Sequence, residues 1–203
     1  MKNRFLFVGD LFWGDENGVP EAVCNGMILK ATARPFEFVI SSSEQNTLEY
    51  LFLQCPRKII GKQAGTIILC AGHSQILRRQ DTDSICLAYK TLVTEILHNT
   101  HSRLILCTIP EKIFEEDSTP QRISQIFNEQ IRNLKKDFKL EIADFDRAFS
   151  HFLSMQAQNE DHIRNLHSSP AQLTSLGKSL FSSLLLCALP EGIPCEEPVQ
   201  ASD

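Results

Sequence analysis

Short apolar runs recur along the chain with helix-length segments between them, and this alternation restricts the fold more than any other feature of the sequence. The runs are Phe5 to Val8, Phe36 to Ile40, Thr66 to Ala71, Arg103 to Thr108 and Leu140 to Ala143. Several are apolar almost without a break, which is the pattern of parallel strands covered on both faces. Parallel strands need crossover connections, and the gaps carry helical patterns. Helices are expected over Pro20 to Ala33, Glu44 to Cys55, Thr82 to Leu97, Asp144 to Met155 and Thr174 to Ala188. A further helix is expected to be capped by Ser118 with Pro120 in its first turn; Ile123, Ile126, Phe127, Ile131 and Leu134 then share one face. The expected architecture is a three-layer α/β/α domain over residues 1–190, with five parallel strands ordered 2-1-3-4-5. An acidic tail with Pro194 and Pro198 follows over 191–203.

Composition removes several function classes. No apolar run approaches the roughly 20 residues that cross a bilayer, so no membrane insertion is expected. The segment around Phe5 is too short for a secretory leader, and the expected location is cytoplasmic. Cys24, Cys55, Cys70, Cys86, Cys107, Cys187 and Cys195 form no CxxC pair and no metal-ligand spacing. They read as reduced thiols, and neither metal nor cofactor is expected. The net charge of −5 is carried mostly by Glu191, Glu196, Glu197 and Asp203 in a tail without lysine or arginine. The body is nearly neutral and its basic residues are dispersed, which argues against a nucleic-acid partner.

In an open α/β sheet, sites collect at the carboxyl ends of the strands. The segments to inspect are therefore Gly9 to Gly14, Ser41 to Glu44 and Gly72 to Gln75, with Ser169 to Gly177 arriving before the last helix.

These segments, in this order, resemble the motif blocks of the SGNH/GDSL hydrolase family. Gly9-Asp10-Leu11-Phe12-Trp13-Gly14 is similar to the Gly-Asp-Ser block; Gly72-His73-Ser74-Gln75 is similar to Gly-x-Asn-Asp. Ser169-Pro170-Ala171-Gln172-Leu173-Thr174-Ser175-Leu176-Gly177 is similar to the Asp-x-x-His block and the helix start after it. The resemblance implies a flavodoxin-like fold and an ester- or amide-cleaving ancestry. It also implies that the nucleophile, histidine and aspartate positions hold Leu11, Gln172 and Ser169. An alkyl side chain is no nucleophile and a neutral amide takes no proton near neutrality. The oxyanion positions depart too: the asparagine is Ser74, and the turn after the second strand offers Ser43 and Glu44 in place of glycine, with a carboxylate opposing a developing anion.

No catalytic residue is therefore assigned, and the expected role is that of a pseudo-hydrolase working as an interaction or adaptor subunit with a protein partner. The alternatives are an acyl-ester or acetyl esterase using displaced groups and a small-ligand-binding module. His73 beside Ser74 is one displaced pair; neighbours leaving a strand point to different sides, and no carboxylate is in view to orient the ring. His98 and His101 are read as a solvated helix end, and His167, following Asp161 and His162, as the other route to an imidazole. Phe12 and Trp13 are candidates for closing the old pocket with Leu11 or for touching a partner.

Overall fold

The computed structural model describes residues 4–10, 18–30, 37–42, 46–114, 116, 118–138, 140–155, 167–169 and 172–189. Its frame is a parallel sheet of β1 (Arg4–Gly9), β2 (Glu37–Ser42), β3 (Thr66–Cys70), β4 (Arg103–Cys107) and β5 (Glu141–Ala143). The strand order is β2-β1-β3-β4-β5, and every adjacent pair is parallel. Leu6, Phe7 and Val8 of β1 and Ile67, Ile68 and Leu69 of β3 are completely buried, since both faces of these central strands are covered by helices.

The path reverses once. From β1 the chain crosses through α1 (Val19–Lys30) to β2 on one side. It then returns past β1 to β3 through α2 (Leu48–Leu53), α3 (Cys55–Lys58) and a 3-10 turn (Ile60–Lys62). After β3 come α4 (His73–Leu77) and α5 (Thr82–Asn99); after β4 come a second 3-10 turn (Glu111–Ile113) and α6 (Thr119–Phe138). Right-handed crossovers put α2, α5 and α6 on the face opposite α1. The last elements are α7 (Phe145–Met155), β6 (His167–Ser169), β7 (Gln172–Leu173) and α8 (Ser175–Ala188), with α8 packed against α1 and α7. Phe145 of α7 stacks on Phe181 of α8 at 4.0 Å between ring centres, and Tyr89 of α5 meets Phe127 of α6 edge-on at 5.0 Å.

The five strands and their order follow the sequence reading, and two helical expectations need correction. The helix expected over Glu44 to Cys55 starts at Leu48, where the Thr47 hydroxyl accepts from Tyr50 N. It stops at Gln54, and Pro56 then opens α3, because a proline without an N–H fits a first helical turn but not an interior. In α6, Ile126 is 55% exposed, whereas Ile123, Phe127, Ile131 and Leu134 are buried; Ile126 lies off the edge of the apolar stripe. Ser118 does cap that helix, accepting from Gln121 N at 3.3 Å. The tail over 191–203, and Asp161 and His162 before the last block, lie outside the described residues.

Candidate functional site

The reversal of the chain between β1 and β3 leaves a crevice at their carboxyl ends, and the residues just beyond those strands meet there. Asp10 follows β1 and is completely buried. Its Oδ2 accepts from Gly72 N at 3.2 Å, Ser74 N at 3.0 Å and Ser74 Oγ at 3.2 Å. One carboxylate oxygen thus holds the turn after β3 through two backbone donors and one hydroxyl, a charge-assisted arrangement.

That turn depends on Gly72. It opens α4 at φ 109°, and a Cβ there would stand 2.7 Å from Cζ of Phe127. The next residues point inward. Ser74 is only 4% exposed, and its hydroxyl also lies 3.3 Å from Gln75 Oε1, so its single proton serves one of two internal acceptors. Gln75, itself buried, donates from Nε2 to Glu49 Oε2 at 3.3 Å. His73 is buried with its ring 5.8 Å from that of Phe114, while Ser74 turns to Asp10. The two neighbours diverge, as successive residues in the first turn of a helix do.

Two further polar groups secure this end of the sheet, and sequence reasoning singled out neither. Asn46 is completely buried, and its Nδ2 donates to Gly9 O and Ser41 O, each at 2.9 Å, tying the ends of β1 and β2 together. Its position after a serine-rich turn and before the Thr47 cap was the available signal. Beyond β4 and β5, Arg132 of α6 bonds both carboxylates that follow β5. Its Nη2 lies 2.8 Å from Asp144 Oδ1 and 2.7 Å from Asp146 Oδ2, and its Nε is 3.0 Å from Asp144 Oδ2. Thr108 Oγ1 donates to Asp144 Oδ1 at 3.1 Å and accepts from Asp146 N at 2.9 Å. Burial alone would raise the Asp144 carboxyl, but the Arg132 hydrogen bond and charge, with Arg147 N and Thr108, outweigh it and hold the group below its usual range. The side chains of this cluster bond one another and the backbone at Glu111 and Asp146.

The last block is placed by its backbone. β6 and β7 pair antiparallel with Ser169 opposite Gln172, so the two positions that resemble the family's aspartate and histidine face each other across a short ladder. Thr174 then caps α8, its hydroxyl accepting from Gly177 N at 3.3 Å, which accounts for the Thr-x-x-Gly spacing. His167 pairs with Leu173 in the same ladder. Leu11, Phe12, Trp13, Ser43 and Glu44 lie outside the described residues. His98 falls in the last turn of α5 and His101 beyond its end. Among the described residues no group of three or more His, Cys, Asp or Glu side chains is arranged to hold a metal ion, and no helix is long and apolar enough to cross a membrane.

No family model and no curated protein matches the sequence. Solved structures do match the fold. The acetyl xylan esterase AlAXEase superposes with a TM-score of 0.75 at 18% identity, covering 92% of this chain and 100% of its own. A structure described as a lipolytic protein of the G-D-S-L family, from Desulfitobacterium hafniense DCB-2, gives 0.70 at 14%, covering 93% and 100%. A variant of Axe2, an acetyl xylan esterase from Geobacillus stearothermophilus, gives 0.77 at 14%, covering 91% and 93%. Sheet order, the Asp10 turn, the Gly72 turn and the capped last helix thus sit in a frame shared over nearly the whole described chain, and the protein has the SGNH hydrolase-like α/β/α fold.

Proposed function

We propose that this chain is an SGNH-like domain that has left hydrolysis and works by binding a protein partner. The observation that carries the reading is the state of Ser74, the hydroxyl that stands at the position resembling the family's asparagine. It is buried, and its hydrogen-bond partners are Asp10 and Gln75, with no imidazole among them. A serine nucleophile needs a base that takes its proton and an open approach for the acyl carbon. Here the hydroxyl proton serves one of two internal acceptors, and one of these, the Asp10 carboxylate, also holds two backbone amides in place. The sequence adds Leu11, Ser169 and Gln172 at the positions that resemble nucleophile, aspartate and histidine.

The likeness to acetyl xylan esterases over nearly their whole length favours a second reading, an esterase with displaced groups. It requires Ser74 to leave Asp10 and an imidazole to reach it. The two readings separate on acetate release from acetylated xylo-oligosaccharides and from a nitrophenyl acetate. The binding reading expects no turnover above that of Ser74→Ala. Turnover by the wild type that Ser74→Ala abolishes would establish the esterase. Hydrolysis gained by the combined Leu11→Ser, Ser169→Asp and Gln172→His variant would confirm the placement of the three lost positions.

A further inference from the structure

At the far edge of the sheet, β2 pairs only with β1 among the described residues. Beside it, between β2 and the α2–α3 segment, runs a groove of about 420 Å³. Val39 and Ile40 of β2 contribute its apolar side; Val39 is half-buried and Ile40 is 53% exposed. Across from them stand Tyr50, Arg57, Lys58 and Lys62. The three cations fall within one short stretch of a body that is otherwise net acidic.

The cations differ in how they are held. Lys58 is positioned: its ammonium donates to Asn46 Oδ1 at 3.1 Å and sits 4.7 Å above the centre of the Tyr50 ring. Arg57 and Lys62 are exposed and make no ion pair with a described carboxylate. Glu37, the acidic residue of β2, does not neutralise them, because it is already bound by Arg4 at 2.7 Å. The groove therefore combines a strand edge, an exposed apolar side chain and positive charge that no described carboxylate pairs with.

We propose that this groove takes an extended acidic segment of a partner protein, laid along β2 with alternate side chains over Ile40 and carboxylates directed at Arg57, Lys58 and Lys62. This rests on the binding reading above and names the chemistry of the partner. Strand addition supplies backbone hydrogen bonds, and the two-residue period of a strand places apolar and acidic side chains alternately, matching the two walls. A second copy of this chain joined by the same edge would bring two cationic rims together, which disfavours self-association there. A polynucleotide would need a longer cationic track, and Val39 and Ile40 offer it nothing to pair with.

The test is binding of a short labelled peptide with glutamates alternating with valine and threonine, followed by fluorescence polarisation. A lysine-for-glutamate counterpart and an oligothymidylate serve as the other arms. The wild type is expected to bind the glutamate peptide, more weakly as salt rises, and to ignore the lysine peptide. Arg57→Glu with Lys62→Glu should lower the affinity by about tenfold or more, since two rim pairs are reversed. Ile40→Asp, which removes no cation, should lower it as well. Undiminished binding in either variant, with melting temperature unchanged, overturns the proposal. So does oligothymidylate that binds better than the peptide, or self-association that the charge reversals abolish. Ester turnover by the wild type would refute the non-catalytic reading and leave this result standing, whereas failure of peptide binding refutes the groove alone.

Discussion

If Asp10 is a structural anchor, its loss should cost far more than the loss of the hydroxyl it holds. Asp10→Ala removes the acceptor of Gly72 N and Ser74 N, two backbone donors in a turn so close to Phe127 that a Cβ on Gly72 would stand 2.7 Å from its ring. A buried donor left without its charged partner costs about 1.5–3 kcal/mol, so the two together cost roughly 3–6 kcal/mol. For a chain of this size each kcal/mol lowers the melting temperature by about 2–4 °C, which places the expected fall at roughly 6–24 °C. Ser74→Ala removes one donor and leaves both backbone bonds to Asp10 intact; its cost should stay near 1 kcal/mol. Thermal and urea unfolding of both variants measure the difference. Equal and small losses, below about 1 kcal/mol each, would refute the anchoring role and free Asp10 for another task.

Other expectations follow from the same contacts. Arg132→Met strands Asp144 and Asp146 without their shared cation, and urea unfolding should record a loss of about 3–5 kcal/mol. Because the folded Asp144 carboxyl lies below its unfolded value, its contribution is present above about pH 4 and is lost as pH falls through the folded value; acid titration of stability should show that limb, and Arg132→Met should move it to higher pH. Gly72→Ala places a Cβ against Phe127 at a positive φ, so it should destabilise by several kcal/mol, measured the same way, about as much as Asp10→Ala. Burial pushes the Cys24 thiol up to about 12 and the Cys55 thiol to about 11, and a hydrogen bond with Cys107, together with burial, raises Cys70. Among the described cysteines, exposed Cys187 should therefore be alkylated first, as peptide mass mapping would reveal.

The sheet was legible because its central strands are buried on both faces and so read as nearly unbroken apolar runs, as Ile67 to Cys70 and Leu104 to Cys107 do. Helix α6 was legible through its period, although Ile126 shows that a stripe counted from sequence can be one residue too wide. Other features left weaker marks. The α2–α3 break was hidden because Pro56 can start a helix as readily as end one, and β6 and β7 are too short to carry a pattern. At the site, Asp10 and the Gly72 turn were found through motif order. What Asp10 does there was not, since a carboxylate that holds backbone amides leaves no trace in spacing. The Arg132 cluster was missed for a related reason: arginine on the polar side of a helix looks solvated until the fold brings Asp144 and Asp146 beneath it.

The central claim is that no activated serine nucleophile operates in this chain, and it can be tested without knowing any substrate. Intact protein treated with excess of a serine-directed phosphonate and then weighed by mass spectrometry reports a nucleophile directly, because the reagent needs an activated hydroxyl and nothing else. The account predicts an unchanged mass, with Ser74→Ala indistinguishable from the wild type. One covalent adduct per chain, mapped to Ser74 and absent from Ser74→Ala, would contradict it.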